Sequence, residues 1–436
     1  MTQPTGEAPA ASGLPRVPFP ATRGLPLPAR GLVDALGAHH ARLVASAERE
    51  LAAQRATPFA LFDLDRARAN LGAFRRAAAV AGVAVRIGLP VKACPLVAIL
   101  AGLADDVDHF DVQSAGEARL CPPGAALAFH AAALELPLDL APLRWVSLNR
   151  QAQWQRLPAL GCPVDGSVRL GIRLAVDPDG TAQPFHGKFG VGRTDASRLL
   201  GELAGEPFVH WHCHRRLADL ARATITAGRL ARYAAQLADD AGRTLRTVNI
   251  GGGWDGAFEL GLRDITLQQL VTEQLRAVRA QLPHLEEVIV EPGRSALEDA
   301  GVVVARVLES ETHGPTQASA VIDAPTSLLV PTPPARYRLL PLEPRPGAWR
   351  ATTLVDPHCR PSSVVATQQL PPLRAGDALL VTNAGAYTYS FGSLFSGPLP
   401  PALVLHGSTV RPILESAALS RAWQIATGQP ASSDHA

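Results

Sequence analysis

The 436-residue chain carries 41 Lys and Arg against 39 Asp and Glu, a net charge of +2, and 47% of its residues are apolar. A chain of this length buries a large core and divides into two or three domains. No basic run marks a nucleic-acid footprint or a polybasic membrane patch, and lysine is scarce beside arginine.

Residues 1–28 are rich in Pro, Ala and Gly, which predicts a disordered N-terminus without the basic start and apolar core of a signal peptide. Leu32, Leu36, Leu43 and Leu51 predict a helix over 31–55. This segment, 29–55, is expected to pack on the C-terminal domain. Apolar stretches at 59–62, 83–91, 109–112, 145–148, 168–174, 208–211, 247–250 and 288–290 then alternate with helical patterns. One of these helices, over 219–237, places Leu220, Ile225, Leu230, Tyr233 and Leu237 near one face. The alternation predicts an α/β fold, a (β/α)8 TIM-like barrel over 56–300; a doubly wound open sheet is the competing architecture. Beyond Ala300 the stretches 302–308, 319–322, 349–355, 378–381 and 402–404 read as strands between Pro- and Gly-rich turns. They predict a C-terminal β domain over 301–425. The stretch 413–425 reads as a helix and 426–436 as a disordered tail.

Cys94, Cys121, Cys162, Cys213 and Cys359 are odd in number, widely spaced and without a CxxC pair. They argue against a disulfide framework or structural zinc and for a reducing cytoplasm, with no metal expected. No apolar run approaches a membrane span, so no membrane partner is expected.

Three segments at ends of predicted barrel strands, and a fourth in the β domain, carry candidate chemistry. Pro90-Val91-Lys92-Ala93-Cys94 ends a strand on a lysine, and a lysine desolvated at a barrel mouth can form an imine. Asn249-Ile250-Gly251-Gly252-Gly253 follows a strand with glycines that let backbone N–H groups approach a phosphate. Glu291-Pro292-Gly293-Arg294-Ser295 sets an acid and an arginine around a tight turn. Ala384-Gly385-Ala386-Tyr387-Thr388 places a tyrosine among small residues.

In this order, the four segments resemble the fold-type III pyridoxal-phosphate decarboxylases of the ornithine/diaminopimelate type, which share the alanine racemase-like architecture. Phe110-Asp111-Val112-Gln113-Ser114-Ala115-Gly116-Glu117, Gly187-Lys188-Phe189-Gly190-Val191, His212-Cys213-His214 and Asp356-Pro357-His358-Cys359 add to the resemblance. It implies a carboxy-lyase whose cofactor, pyridoxal 5'-phosphate, forms a Schiff base with Lys92. Glu291 would pair with the ring nitrogen and His214 would stack on the ring face. Asp111 would stand in the cofactor site, and Gly251, Gly252, Gly253, Arg294 and Tyr387 would cradle the phosphate. Cys359 would return a proton to the substrate carbon from the partner subunit of a homodimer with shared sites.

Three departures bear on the substrate. Arg215-Arg216-Leu217 follows His214 where the family has Ile-Gly-Ser, and Phe395-Ser396-Gly397 replaces Phe-Asn-Gly. Arg360 replaces the acid that receives a distal ammonium, and Ser363 a family Asp. With Arg360, Ser363 and Phe395 as substrate-binding residues, the charge reversal favours an amino acid or conjugate with a carboxylated or acylated distal end. Such substrates occur in specialised metabolism, including siderophore biosynthesis. An ornithine, lysine or diaminopimelate decarboxylase proper and a non-catalytic regulatory relative are the alternatives. An alanine racemase is disfavoured by Glu291 and by Cys94-Pro95-Leu96 after the lysine.

Overall fold

The apolar run at 59–62 does form a strand, β1 (Phe59–Asp63), but not a strand of the barrel. The computed structural model describes residues 29–130, 143–176, 189–212, 219–329, 337–360 and 364–428. In it, the parallel barrel closes through β2 (Ala84–Pro90), β3 (His109–Val112), β4 (Leu127–Phe129), β5 (Leu143–Leu148), β6 (Arg169–Arg173), β7 (Phe208–His210), β8 (Thr247–Asn249) and β9 (Glu287–Val290). The eight-stranded barrel is therefore as expected, with one member exchanged. β4 takes the place given to 59–62. Its Leu-Ala-Phe sequence is three residues long and lacks β-branched side chains, so it carries little strand signal.

The C-terminal domain is built from β10 (Gly301–His313), β11 (Gln317–Ile322), β12 (Arg338–Pro341), β13 (Arg350–Val355), β14 (Val364–Leu370), β15 (Ala378–Thr382), β16 (Ala402–His406) and β17 (Thr409–Leu414). β1 joins them in one nine-stranded sheet. It runs antiparallel to β10, with Leu61 opposite Val302, and parallel to β16, with Leu61 opposite Leu403. All five of its residues are buried. A strand inside a sheet and a strand inside a barrel both read as unbroken apolar runs, which is why the two were not separable by pattern.

Helices follow local signals closely. Asp63 caps the helix Leu64–Ala81 by accepting from the N–H groups of Asp65 and Arg66, and Gly82 ends it in the left-handed region at φ 69°. Asp219 accepts from the Arg222 N–H to start the helix Leu220–Asp240. The buried face of that helix is not the expected one throughout. Leu230 and Leu237 are buried among Ala223, Ala227, Ala231, Ala234 and Ala238, whereas Ile225 is 54% exposed. The alanine stripe sits inside because the neighbouring helix Leu267–Arg279 packs against this helix, and small side chains permit close approach.

The single N-terminal helix expected over 31–55 is two helices, Ala29–His39 and Ala41–Ala52, hinged at His40. The first packs on β12 and β14 and the second on β1. The C-terminal helix is shorter than expected, Ser416–Ala426, because β17 takes the preceding residues. Of the tail expected to be disordered over 426–436, Ala426 instead ends this helix; residues 429–436, like the expected disorder at 1–28, lie outside the described residues.

The two mouths of the barrel differ. At the N-terminal mouth, Arg86 and Arg169 converge on Glu287 at 2.5 and 3.1 Å, and Arg86 lies 5.1 Å over the Trp145 ring. Just inside, Ala128, Trp145, Phe208 and Ile289 form a separate apolar layer. Gly171 makes room for it, since a Cβ there would meet the Phe208 ring at 2.3 Å. That end is plugged, and chemistry is left to the C-terminal mouth.

Candidate active site

At the C-terminal mouth, polar residues stand at the ends of most barrel strands. Lys92 sits in the short 3-10 turn Val91–Ala93 directly after β2. Burial pushes its ammonium below the ordinary lysine range; Arg173 adds to the effect, while Glu291 and Asp111 oppose it. An amine so placed spends more time as the neutral nucleophile.

Asp111, on β3, lies 3.0 Å from His130 Nε2 and 3.2 Å from His109 Nε2. Burial alone would raise its carboxyl, but these two imidazoles hold it well below the usual carboxylate range. Gly88 on β2 makes room for the group; a Cβ there would lie 2.4 Å from His109 Nε2 and 2.6 Å from Asp111 Oδ2.

Glu291 follows β9 and is 5% exposed. Asn249 Nδ2 donates to its Oε1 at 2.8 Å, and the Gly251 N–H donates to Asn249 Oδ1 at 2.7 Å, which fixes the amide's orientation. His130 Nε2 and His210 Nε2 each lie 3.5 Å from the same Oε1. Oε2 has no hydrogen-bond partner among the described residues.

The glycine loop is locked to this acid. The Glu291 N–H donates to Gly251 O at 2.7 Å. Gly251 has φ 65°, and a Cβ on it would meet Trp211 O and the His212 ring at 2.8 Å. A Cβ on Gly252 would meet Glu291 O at 2.3 Å. Here the backbone requires glycine, leaving N–H groups bare of side chain.

Tyr387 reaches this region from the β domain. Its N–H donates to Ala93 O at 2.7 Å, next to Lys92. Its own φ is 65°, a left-handed value rare outside glycine. A Cβ on Gly293 would lie 3.1 Å from Tyr387 Oη. Arg294 stands 5.2 Å over the Tyr387 ring and donates from Nη1 to buried Glu298 at 2.7 Å.

The structure thus brings together Lys92, Asp111, Gly251, Gly252 and Glu291, and sets Tyr387 and Arg294 beside them. Gly253 continues the loop at φ 113°. His214 and Ser363 lie outside the described residues. His212 is described, and its ring abuts Gly251. Cys359 and Arg360 occupy the turn after β13, with Cys359 exposed. Asp356 anchors that turn by accepting from the Thr326 N–H at 2.7 Å and the His358 N–H at 3.2 Å. The His358 ring lies 5.9 Å from that of Phe395, which is exposed.

Sequence reading passed over His130, His210, Ser147 and Arg173. Each is a polar residue within or just after an apolar strand, as in Leu127-Ala128-Phe129-His130 and Phe208-Val209-His210. That position was the available signal.

The residues present fit pyridoxal 5'-phosphate. A desolvated lysine, a buried carboxylate with one oxygen unpartnered among the described residues and a side-chain-free glycine loop match its aldehyde, ring nitrogen and phosphate. No family model matches the chain. Diaminopimelate decarboxylase of Vibrio cholerae serotype O1 is 26% identical over 370 residues, spanning 78% of this chain and 86% of that protein. Diaminopimelate decarboxylase from Helicobacter pylori, complexed with L-lysine, superposes with a TM-score of 0.71 at 23% identity, covering 88% of this chain and all of that one. Lysine decarboxylase from Selenomonas ruminantium, in complex with PLP and cadaverine, gives a TM-score of 0.65 at 22% identity, covering 82% of this chain and 92% of that one. By sequence likeness and by fold, the chain is a diverged relative of the fold-type III pyridoxal-phosphate decarboxylases.

Proposed function

We propose that the protein is a pyridoxal-phosphate-dependent carboxy-lyase acting on an amino acid or amino-acid conjugate with a carboxylated or acylated distal end. The observation that carries the reading is the convergence of Lys92, Glu291 and the Gly251–Gly253 loop at one mouth of the barrel. When bound, the cofactor supplies an electron sink for the carbon that loses CO2. Lys92 would hold it covalently through its side-chain amine. Glu291 keeps a proton at the ring nitrogen, and the glycine loop with Tyr387 holds the phosphate. His214 would stack on the ring face, and the ring of His212, two residues before it, abuts Gly251 of the phosphate loop.

Cys359 is the proton donor to the substrate carbon, reaching the site of a partner subunit. Its exposure on the β domain supports this, as do the exposed apolar residues Phe391, Leu394 and Phe395. Such a surface suits a homodimer with shared sites. The free thiols among the described cysteines suit a reducing cytoplasm. No described helix is long and apolar enough to cross a membrane.

Arg360 selects the distal group. Its planar guanidinium suits a carboxylate or carbonyl and repels an ammonium. Specialised metabolism, such as siderophore biosynthesis, is where such substrates arise. A second reading, a diaminopimelate or lysine decarboxylase, is favoured by what the relatives act on. Mass spectrometry of products from a panel of amino acids, simple and distally acylated, separates the two. On the first reading, Arg360→Glu weakens the preferred substrate roughly 10- to 100-fold, as loss of a charge-assisted bond does. Lysine, ornithine or diaminopimelate as the best substrate of the unmodified enzyme would overturn it.

A further inference from the structure

Glu291 is the acid on which the proposed chemistry turns, and its two oxygens are treated unequally. Oε1 receives Asn249 Nδ2 at 2.8 Å and has His130 Nε2 and His210 Nε2 at 3.5 Å each. His210 is itself held through its other ring nitrogen, whereas His130 divides one nitrogen between two carboxylates. His130 Nε2 is 3.0 Å from Asp111 Oδ1, and His210 Nδ1 is 2.7 Å from Ser147 Oγ. The two rings meet edge to face, 5.2 Å apart at 71°. His130, His210, Ser147, Asp111 and Asn249 are all buried. They come from five different barrel strands or strand ends, so the arrangement is fixed by barrel closure rather than by one flexible loop.

We propose that His130 and His210 are positioning residues for Glu291: with Asn249 they hold Oε1, and so present Oε2 to the protonated ring nitrogen of the cofactor. The proposal rests on the reading of Glu291 as the partner of that nitrogen. A carboxylate fixed through one oxygen loses the rotation that would blur its aim, and buried polar groups hold each other most firmly when linked in a network. Burial acts to neutralise His130, but Glu291 and Asp111 outweigh it and keep the imidazole protonated to higher pH than usual. Its N–H is then available to the carboxylates on either side.

His130 Nε2, His210 Nε2 and Glu291 Oε1 also lie close enough together to hold a metal ion. Two features favour the positioning role. His130 Nε2 is shared with Asp111, and the buried Arg173 guanidinium acts on Glu291, where a dication would be repelled.

The test uses holoenzyme reconstituted with ring-15N pyridoxal phosphate, reading the nitrogen resonance and cofactor retention on dialysis. Unmodified protein gives a protonated-nitrogen resonance. His130→Asn and His210→Asn, which shorten the reach, move the resonance toward the unprotonated position and weaken retention roughly tenfold. His130→Gln, which keeps a donor near the same place, restores most of both. A general packing defect would lower thermal stability without moving the nitrogen resonance. Resonance and retention unchanged in both Asn variants overturn the proposal. An unmoved resonance in Glu291→Gln overturns the underlying reading of Glu291 instead. A stoichiometric divalent metal in the unmodified holoenzyme, lost in His130→Gln, overturns the positioning role in favour of a metal centre.

Discussion

Lys92 and Lys188 are the only lysines in the chain, which makes the covalent step unusually open to test. Borohydride reduction of the holoprotein should label the peptide containing Lys92 alone, and Lys92→Ala should abolish both labelling and decarboxylation; label on Lys188 would displace the assignment. The glycine loop is equally exposed to a single change. A Cβ at position 252 must displace the backbone carbonyl of Glu291 from 2.3 Å, and backbone cannot swing aside as a side chain can. Gly252→Ala should therefore weaken cofactor affinity by at least about tenfold, an effect of roughly 1.4 kcal/mol, measured by equilibrium dialysis. At this scale the sequence was most informative where chemistry demands a residue type in a fixed local frame. Lys92, Glu291 and the glycines each follow an apolar strand directly. His130 and His210 were not visible in the same way, because their meaning comes from three-dimensional convergence on one carboxylate oxygen.

The hinge between the two N-terminal helices carries a consequence for acid stability. His40 is 2% exposed, and neither ring nitrogen has a hydrogen-bond partner among the described residues. Burial, helped by His39 and Arg66 and opposed by Asp299, lowers its pKa from 6.5 to about 3. The folded form therefore keeps the ring neutral while the unfolded chain protonates it below pH 6.5. Stability from this site is complete above that pH, declines as pH falls, and is exhausted near pH 3. His40→Leu should remove this sensitivity. By pH 5 the variant should gain about 2 kcal/mol relative to its own difference at pH 8. Parallel pH series of urea melts check it; identical slopes for both proteins would refute it. The helix boundary at Asp219 was legible, where a cap marks it. Other features were missed where a short strand lacked β-branched residues, as in β4, and where an alanine stripe replaced larger side chains, as around Ile225. Both failures have one cause: apolar periodicity records which residues can be buried, and tertiary packing decides which are.

At the scale of the whole molecule, the turn carrying Cys359 and the cluster around Lys92 test the subunit arrangement. Mixing Lys92→Ala with Cys359→Ala protein should restore up to about a quarter of normal activity, since random exchange makes half the dimers hybrid with one intact site each. No recovery after subunit exchange is verified by mass would place Cys359 in its own subunit's site or outside the reaction. The barrel and the β domain were both recognisable from pattern; their interlock was not, because β1 reads like any buried strand. That strand lies before the barrel in sequence yet pairs Leu61 with Leu403. During synthesis, therefore, the middle of the large sheet stays open until the residues around Leu403 have left the ribosome. The barrel strands can assemble earlier, but β1 must wait, unpaired on one edge, for a partner more than three hundred residues downstream. A nascent chain of this protein is most exposed to aggregation in that interval, and slowed translation beyond β10 should lengthen its dependence on chaperones.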